Sequence, residues 1–343
     1  MTTPTPAPTP AATRKPLLKR LLGEDAGIAQ LIVITVLIFV AMTALSPDKF
    51  LRWYNFESIS YIMPELGILS IAMMIAMLTG GIDLSVVGIA NLAAICAGLY
   101  FKNPAVAEAM AAGGAGMVLH TVIAALIALV VGLGAGVANG LLIAKLRIIP
   151  ILATLGTGQV FMGLALVLTG GPAIVGFPET WSWLGNGKIF GIATPFWVLL
   201  AVAGGVAVLL QRTSLGVNLM LIGTNAKAAV FAGIRSARMV IYSYMLTGFL
   251  AAIAGILLSG RTNAAKADFG GSYLLQAVLI AVLGGTNPAG GKGRVQGVLL
   301  ALVALMLLSS GFQMIRVSNH LIDFIWGAFL VVVIAINYLR RAK

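Results

Sequence analysis

A carboxylate stands in a glycine-rich break: Thr79-Gly80-Gly81-Ile82-Asp83-Leu84-Ser85 interrupts the apolar run from Ile59 to Leu99. Two adjacent glycines end one helix, and Asp83 or Ser85 can accept hydrogen bonds from the first free N–H groups of the next. The carboxylate also favours the positive end of that helix dipole. A charge in lipid-compatible sequence is costly and often marks a path for polar cargo, or its gate. Helix cap and path residue are both open for Asp83, and the two are compatible. A second break, Leu283 to Arg294 (LGGTNPAGGKGR), carries Gly284, Gly285 and Thr286 at its head. Its glycines suggest a phosphate cradle, but Lys292 is followed by Gly293, so the G-x-x-x-x-G-K-[ST] spacing is missing. A hinge or tight re-entrant turn is the expectation there.

Other polar residues sit singly in apolar runs: Asn91, Asn139, Thr154, Gln159 and Gln276. They either hydrogen-bond neighbouring helices or join a weakly polar path. Glu65 follows Pro64 within a span and Asp323 lies near the start of the last; each pairs or snorkels. No set of residues points to catalysis or to a metal. His120 and His320 belong to no H-E-x-x-H, no serine sits in a G-x-S-x-G elbow, and Cys96 is the single cysteine.

The elements that must position these residues are long apolar helices. About 20 mainly apolar residues cross a bilayer, and such runs fall at 28–45, 59–79, 84–101, 117–144, 149–169, 195–210, 239–259, 273–284, 295–314 and 321–339. The fold expected is all-α and polytopic, with about ten transmembrane helices. Composition agrees: 60% of residues are hydrophobic and 9% charged, where a soluble domain carries about a quarter charged residues. Residues 1–26 read as a disordered and amphipathic cytoplasmic N-terminus, with Arg14 to Leu22 on the inner leaflet. Residues 27–339 form a single transmembrane domain, and 340–343 a basic cytoplasmic tail.

With an even number of crossings, fifteen of the 22 basic residues fall on the side of both termini. Positive-inside reasoning then makes both termini cytoplasmic. The net charge of +12 is thus a topology signal. Nucleic acid is not an expected partner, because no basic cluster is interleaved with aromatics.

The largest insertion on that side, 211–238, is too polar to span. Asn225 can cap a helix beginning at Ala226, and Gly233 can end it. Such a short helix, flanked by bases, suits docking into a groove on a cytoplasmic partner. An interfacial helix resting on lipid is the plainer reading.

Three segments carry a family resemblance: TGGIDLSV at 79–86, GVNLMLIGTNAKAAVFAGI at 216–234 and LGGTNPAGGKG at 283–293. They resemble the permease subunit of bacterial ABC importers for simple sugars, the ribose, xylose, arabinose and autoinducer branch. Two departures are local: Ser85-Val86-Val87-Gly88 is one residue longer than the usual S-V-G, and Thr286-Asn287-Pro288 stands where a Ser or Thr-Ser is common. The resemblance implies an inner-membrane, multi-pass permease that moves a monosaccharide or small polyol and pairs with an identical copy or a paralogue. It implies a periplasmic sugar-binding protein and a cytoplasmic ATP-binding subunit that uses the ATP, with no cofactor on this chain. It also makes Gly216, Gly223, Asn225, Ala228, Ala229, Gly233 and Ile234 the ATPase-coupling segment. Gly80, Gly81, Asp83, Ser85, Asn91, Asn139, Thr154, Gln159, Gly284, Gly285 and Thr286 are the candidates for path or gate. The alternatives are a gradient-driven secondary transporter, for which Asp83 is the candidate ion site, and a permease for branched amino acids.

Overall fold

The computed structural model describes residues 26–111 and 113–341. The expected amphipathic N-terminal segment therefore lies outside the described residues, as do the last two residues of the basic tail. In chain order the helices begin with α1 (Ala26–Leu45), α2 (Pro47–Phe50), α3 (Trp53–Leu78), α4 (Val86–Phe101) and α5 (Pro104–Ala111). There follow α6 (Ala115–Ala144), α7 (Pro150–Thr169), α8 (Glu179–Asn186), α9 (Thr194–Arg212), α10 (Ser214–Thr224) and α11 (Ala226–Phe231). The chain closes with α12 (Ser236–Thr262), α13 (Tyr273–Leu283), α14 (Val295–Met314) and α15 (Asn319–Arg341). Two short antiparallel pairs decorate one end: β1 (Ile174–Val175) with β4 (Ala264–Ala265), and β2 (Lys188–Ile189) with β3 (Ile192–Ala193).

Every apolar run expected to span is helical, yet the helices are not ten equal crossings. Among the described residues seven helices are long and apolar enough to cross a membrane, or eight if α4 and α5, bent by 72°, form one span. The run at 273–284 falls short because α13 has 11 residues, about 16 Å of helix against a hydrocarbon core of about 30 Å. Non-helical chain from Asn263 to Ser272 covers the rest. Backbone of that kind needs partners inside a membrane. Asn91 supplies them, donating from its buried amide to the carbonyls of Ala267 and Phe269, both at 2.9 Å.

The same succession occurs twice, in opposite directions. A long helix (α3), an extended break, a shorter helix (α4) and two further long helices (α6, α7) make the first set. A long helix (α12), the break at 263–272, the short α13 and then α14 and α15 make the second. Long helices followed by broken ones in two inverted units are a transporter arrangement. α3 is the centre of the bundle, buried continuously from Met63 to Leu78, with α9, α12, α13 and α14 packed around it. α1 and α7 instead present Val36, Leu37, Leu152 and Val167 outward, as lipid-facing helices do.

The bundle has two distinct ends. One, the basic end, gathers the loops at 79–85, 145–149, 212–238 and 284–294, with Lys145, Arg147, Lys227 and Lys292. At the far end Phe177 stacks on Trp181, and the Trp181 indole donates to Ser259 Oγ at 3.1 Å. There too Lys188 donates to Glu57 at 2.5 Å, and that bond raises the Lys188 pKa above the ordinary lysine value.

Candidate translocation and coupling sites

Asp83 is fully buried, 0% exposed, and is the hub of a network joining four segments. Its Oδ1 accepts from the Ser85 backbone N–H at 3.0 Å and the Ser85 hydroxyl at 2.6 Å; its Oδ2 accepts from Thr247 Oγ1 at 2.6 Å. Ser85 Oγ accepts in turn from Asn139 Nδ2 of α6 at 2.7 Å. Thr154 of α7 accepts from the Leu84 N–H at 3.0 Å and donates to the carbonyls of Ile82 and Pro150. Ser85 stands at the N-cap of α4, but its hydroxyl reaches no helix N–H. The carboxylate therefore organises the turn before the helix rather than capping its first turn. Charge-assisted hydrogen bonds of this kind are stronger than neutral ones.

Sequence reasoning found Asp83, Ser85, Asn139 and Thr154 and missed Thr247. The signal was present, since Ser243 and Thr247 are four apart, on one face of an apolar helix. Ser243 Oγ donates to the Ile75 carbonyl at 3.1 Å, tying α12 to the centre of α3. Three buried polar atoms at these breaks, Asn139 Oδ1, Tyr244 Oη and Thr286 Oγ1, have no hydrogen-bond partner among the described residues.

The glycines of the breaks serve a shared local design. α3, α11 and α13 each end in a Schellman motif, with Gly80 (φ +81°), Gly233 (φ +81°) and Gly285 (φ +85°) in the left-handed conformation. The reciprocal bonds run from Gly81 N to Ala76 O, from Ile234 N to Ala229 O and from Thr286 N to Ala281 O. Gly284, one residue earlier, packs its backbone against Gly297 and Val298 at the start of α14.

The basic end brings the two breaks and the 211–238 segment into one junction. Gly291 donates its N–H to the Leu78 carbonyl at 3.0 Å. Gly223, in α10, lies against both Leu78 and the Gly290–Gly291 backbone. From this junction α10 and α11 project as a hairpin. Asn225 Oδ1 accepts from the Ala228 N–H at 3.0 Å and caps α11 as its sequence position indicates. Gly216 makes the close α9–α10 approach, against the Leu210 backbone. Ala228 is exposed, but Ala229 is 4% exposed and packs inward. The large apolar side chains that α11 presents are Phe231, 93% exposed, and Val230 beside it. Sequence reasoning named neither. Gln159, in contrast, lies exposed on the outward side of α7 and joins neither the network nor the junction.

A cavity of about 420 Å³ opens at the far end, bounded by α3, α13, α14 and α15. Asn55, Gln276, Ser309, Gln313 and Asp323 line it, with Tyr273 and Trp326. In its wall Arg261 donates to Glu65, through Nε at 2.6 Å and Nη2 at 3.1 Å. Asn55 accepts from Ser310 Oγ at 2.5 Å. Glu65 is thus paired rather than snorkelling, while Asp323 is exposed at the mouth.

Comparison with known proteins gives this geometry a lineage. A family model described as "Branched-chain amino acid transport system / permease component" matches residues 55–334. The ribose import permease protein of Bacillus subtilis (strain 168) is 31% identical over 308 residues, 89% of this chain and 91% of the relative. The autoinducer 2 import system permease protein of Escherichia coli (strain SMS-3-5 / SECEC) is 31% identical over 318 residues, 91% of each chain. Its counterpart from Photorhabdus temperata is 32% identical over 320 residues, 91% of this chain and 90% of the relative. No solved structure matches the chain. The matched region contains both helix breaks, the α10–α11 hairpin and the far-end cavity, and on these grounds the chain belongs to the branched-chain amino acid transport system / permease component family.

Proposed function

We propose that this chain is the permease subunit of an ATP-driven importer in the bacterial inner membrane, moving a monosaccharide or similar small polyol. The basic end faces the cytoplasm and the far end the periplasm, in accord with the positive-inside bias. A periplasmic binding protein delivers the sugar, a cytoplasmic ATP-binding subunit hydrolyses ATP, and a second permease, identical or paralogous, completes the pore. The relatives that import ribose and autoinducer 2 favour a sugar over a branched amino acid.

The observation that carries the mechanism is the junction of Leu78, Gly223 and Gly291. Force applied to the exposed α10–α11 hairpin reaches both helix breaks through backbone contact, without a flexible side chain between them. Docking of the ATP-binding subunit on Val230 and Phe231 shifts the hairpin and biases the breaks between two arrangements. Asp83 keeps the first break folded through that change.

A pull-down of the tagged chain from native membranes, with mass-spectrometric identification, tests the reading. An ATP-binding subunit recovered in near-stoichiometric amount supports it. Recovery of the permease without one, together with ionophore-sensitive uptake, rejects it in favour of gradient-driven transport.

A further inference from the structure

We propose that the far-end cavity is a polyol-binding subsite of the permease itself, so that cargo selection is shared between this chain and its delivery protein. The proposal rests on the sugar-import reading above. The volume, about 420 Å³, lies within the range of small-molecule sites. Ser58, Ser272, Gln276, Ser309 and Gln313 all line it, and none of their side chains makes a hydrogen bond to another described residue. Five free hydroxyl and amide groups facing one cavity are uncommon in a membrane bundle, where polar side chains bond across helices. Each group both donates and accepts, which matches the hydroxyls of a sugar.

The charges in the wall argue in the same direction. The Arg261 guanidinium is engaged by both carboxylate oxygens of Glu65, so it offers little to the carboxylate of an amino acid. Asp323, which makes no ion pair among the described residues, stands at the mouth as an acceptor for the hydroxyls of a polyol. An aliphatic side chain bound here would leave the amides and hydroxyls unpaired, the strongest basis for rejecting a ligand that lacks hydroxyls. Tyr273 and Trp326 add apolar ring surface for the C–H face of a sugar.

The position explains how occupancy is sensed. Leu66, buried in the core of α3, lines the cavity on its inner side. Ser272, Tyr273 and Gln276 belong to the first turn of α13 and its entry. The other end of that 11-residue helix is the Gly284–Gly285 break, whose loop meets Gly223. One short rigid helix thus links the subsite to the coupling junction.

The test uses cells expressing the permease with its native partners, together with the purified full-length chain. Cells are assayed for uptake of D-ribose, D-xylose, L-arabinose and L-leucine. The transported sugar is then titrated against tryptophan fluorescence of the purified chain. The expected result is a saturable change that Trp326→Phe abolishes. Gln276→Leu and Gln313→Leu each raise the half-saturating concentration about tenfold, the loss of one hydrogen bond. Ser309→Ala, which removes a single hydroxyl, moves it in the same direction and serves if the leucine variants fail to fold. Sugar uptake without a saturable change, or with half-saturation unchanged in the variants, overturns the subsite and leaves the import reading standing. Uptake of leucine and of no sugar overturns both.

Discussion

Gly223 lies against Leu78 so closely that a Cβ on the glycine would collide with the Leu78 carbonyl oxygen and with the Gly291 amide. That carbonyl is also the acceptor for Gly291 N–H. Three segments separated widely in sequence therefore share one contact at the basic end. All the atoms in conflict are backbone, so no side-chain rotation can relieve an added methyl group.

Gly223→Ala tests this contact. Forced overpacking costs about 1–3 kcal/mol, and the variant is expected to lose most uptake and melt at a lower temperature in detergent. Gly156→Ala, at an open position of α7, is the matched control and leaves both unchanged. Equal behaviour of the two would show that the junction is not tight.

Phe231 and Ala229 are two residues apart and should behave oppositely. Phe231→Asp changes an exposed tip, so the protein reaches the membrane in normal amount while uptake and stimulated ATP hydrolysis fall. Ala229→Asp buries a charge and lowers the amount of folded protein. Immunoblots of membranes alongside uptake assays separate the two effects. Full uptake by Phe231→Asp removes the hairpin tip from the docking surface.

For Asp83 the informative comparison is Asn against Ala. Asn retains an oxygen for the Ser85 N–H and hydroxyl, and its amide donates to Thr247 Oγ1, which turns its proton to the Tyr244 carbonyl. Ala leaves the Ser85 N–H without its side-chain acceptor, and leaving a buried donor unpaired costs about 1–3 kcal/mol. The expectation is near-normal stability and uptake for Asp83→Asn and a clear loss of both for Asp83→Ala. A stable Asp83→Asn variant without uptake would instead assign the negative charge a role in transport.

The Glu65–Arg261 pair offers a double-mutant cycle. Arg261→Met leaves the buried Glu65 carboxylate with only the long 3.4 Å bond from the Tyr273 hydroxyl, and breaking a buried pair costs about 3–5 kcal/mol. Glu65→Leu combined with Arg261→Met removes both charges and should recover most of that loss in thermal unfolding. Additive losses would mean that each residue is held by groups other than its partner.

The sequence by itself determined everything that depends on near neighbours. Apolar runs must be helices in lipid, because only a helix satisfies its own backbone there. The Gly80, Gly233 and Gly285 stops and the Asn225 cap are local hydrogen-bond geometry, and each was legible. Which helix lies at the centre was not. α3 and α7 are both predominantly apolar, yet one is buried continuously from Met63 to Leu78 and the other faces outward. In a membrane, apolar surface no longer distinguishes inside from outside; close backbone approach and interhelical hydrogen bonds decide the packing. Only the tertiary structure could therefore bring Thr247 to Asp83, Asn91 to the carbonyls of the 263–272 break, and Gly223 to Leu78. The far-end cavity has the same origin: its polar residues are scattered singly through apolar helices and become a site only where those helices meet.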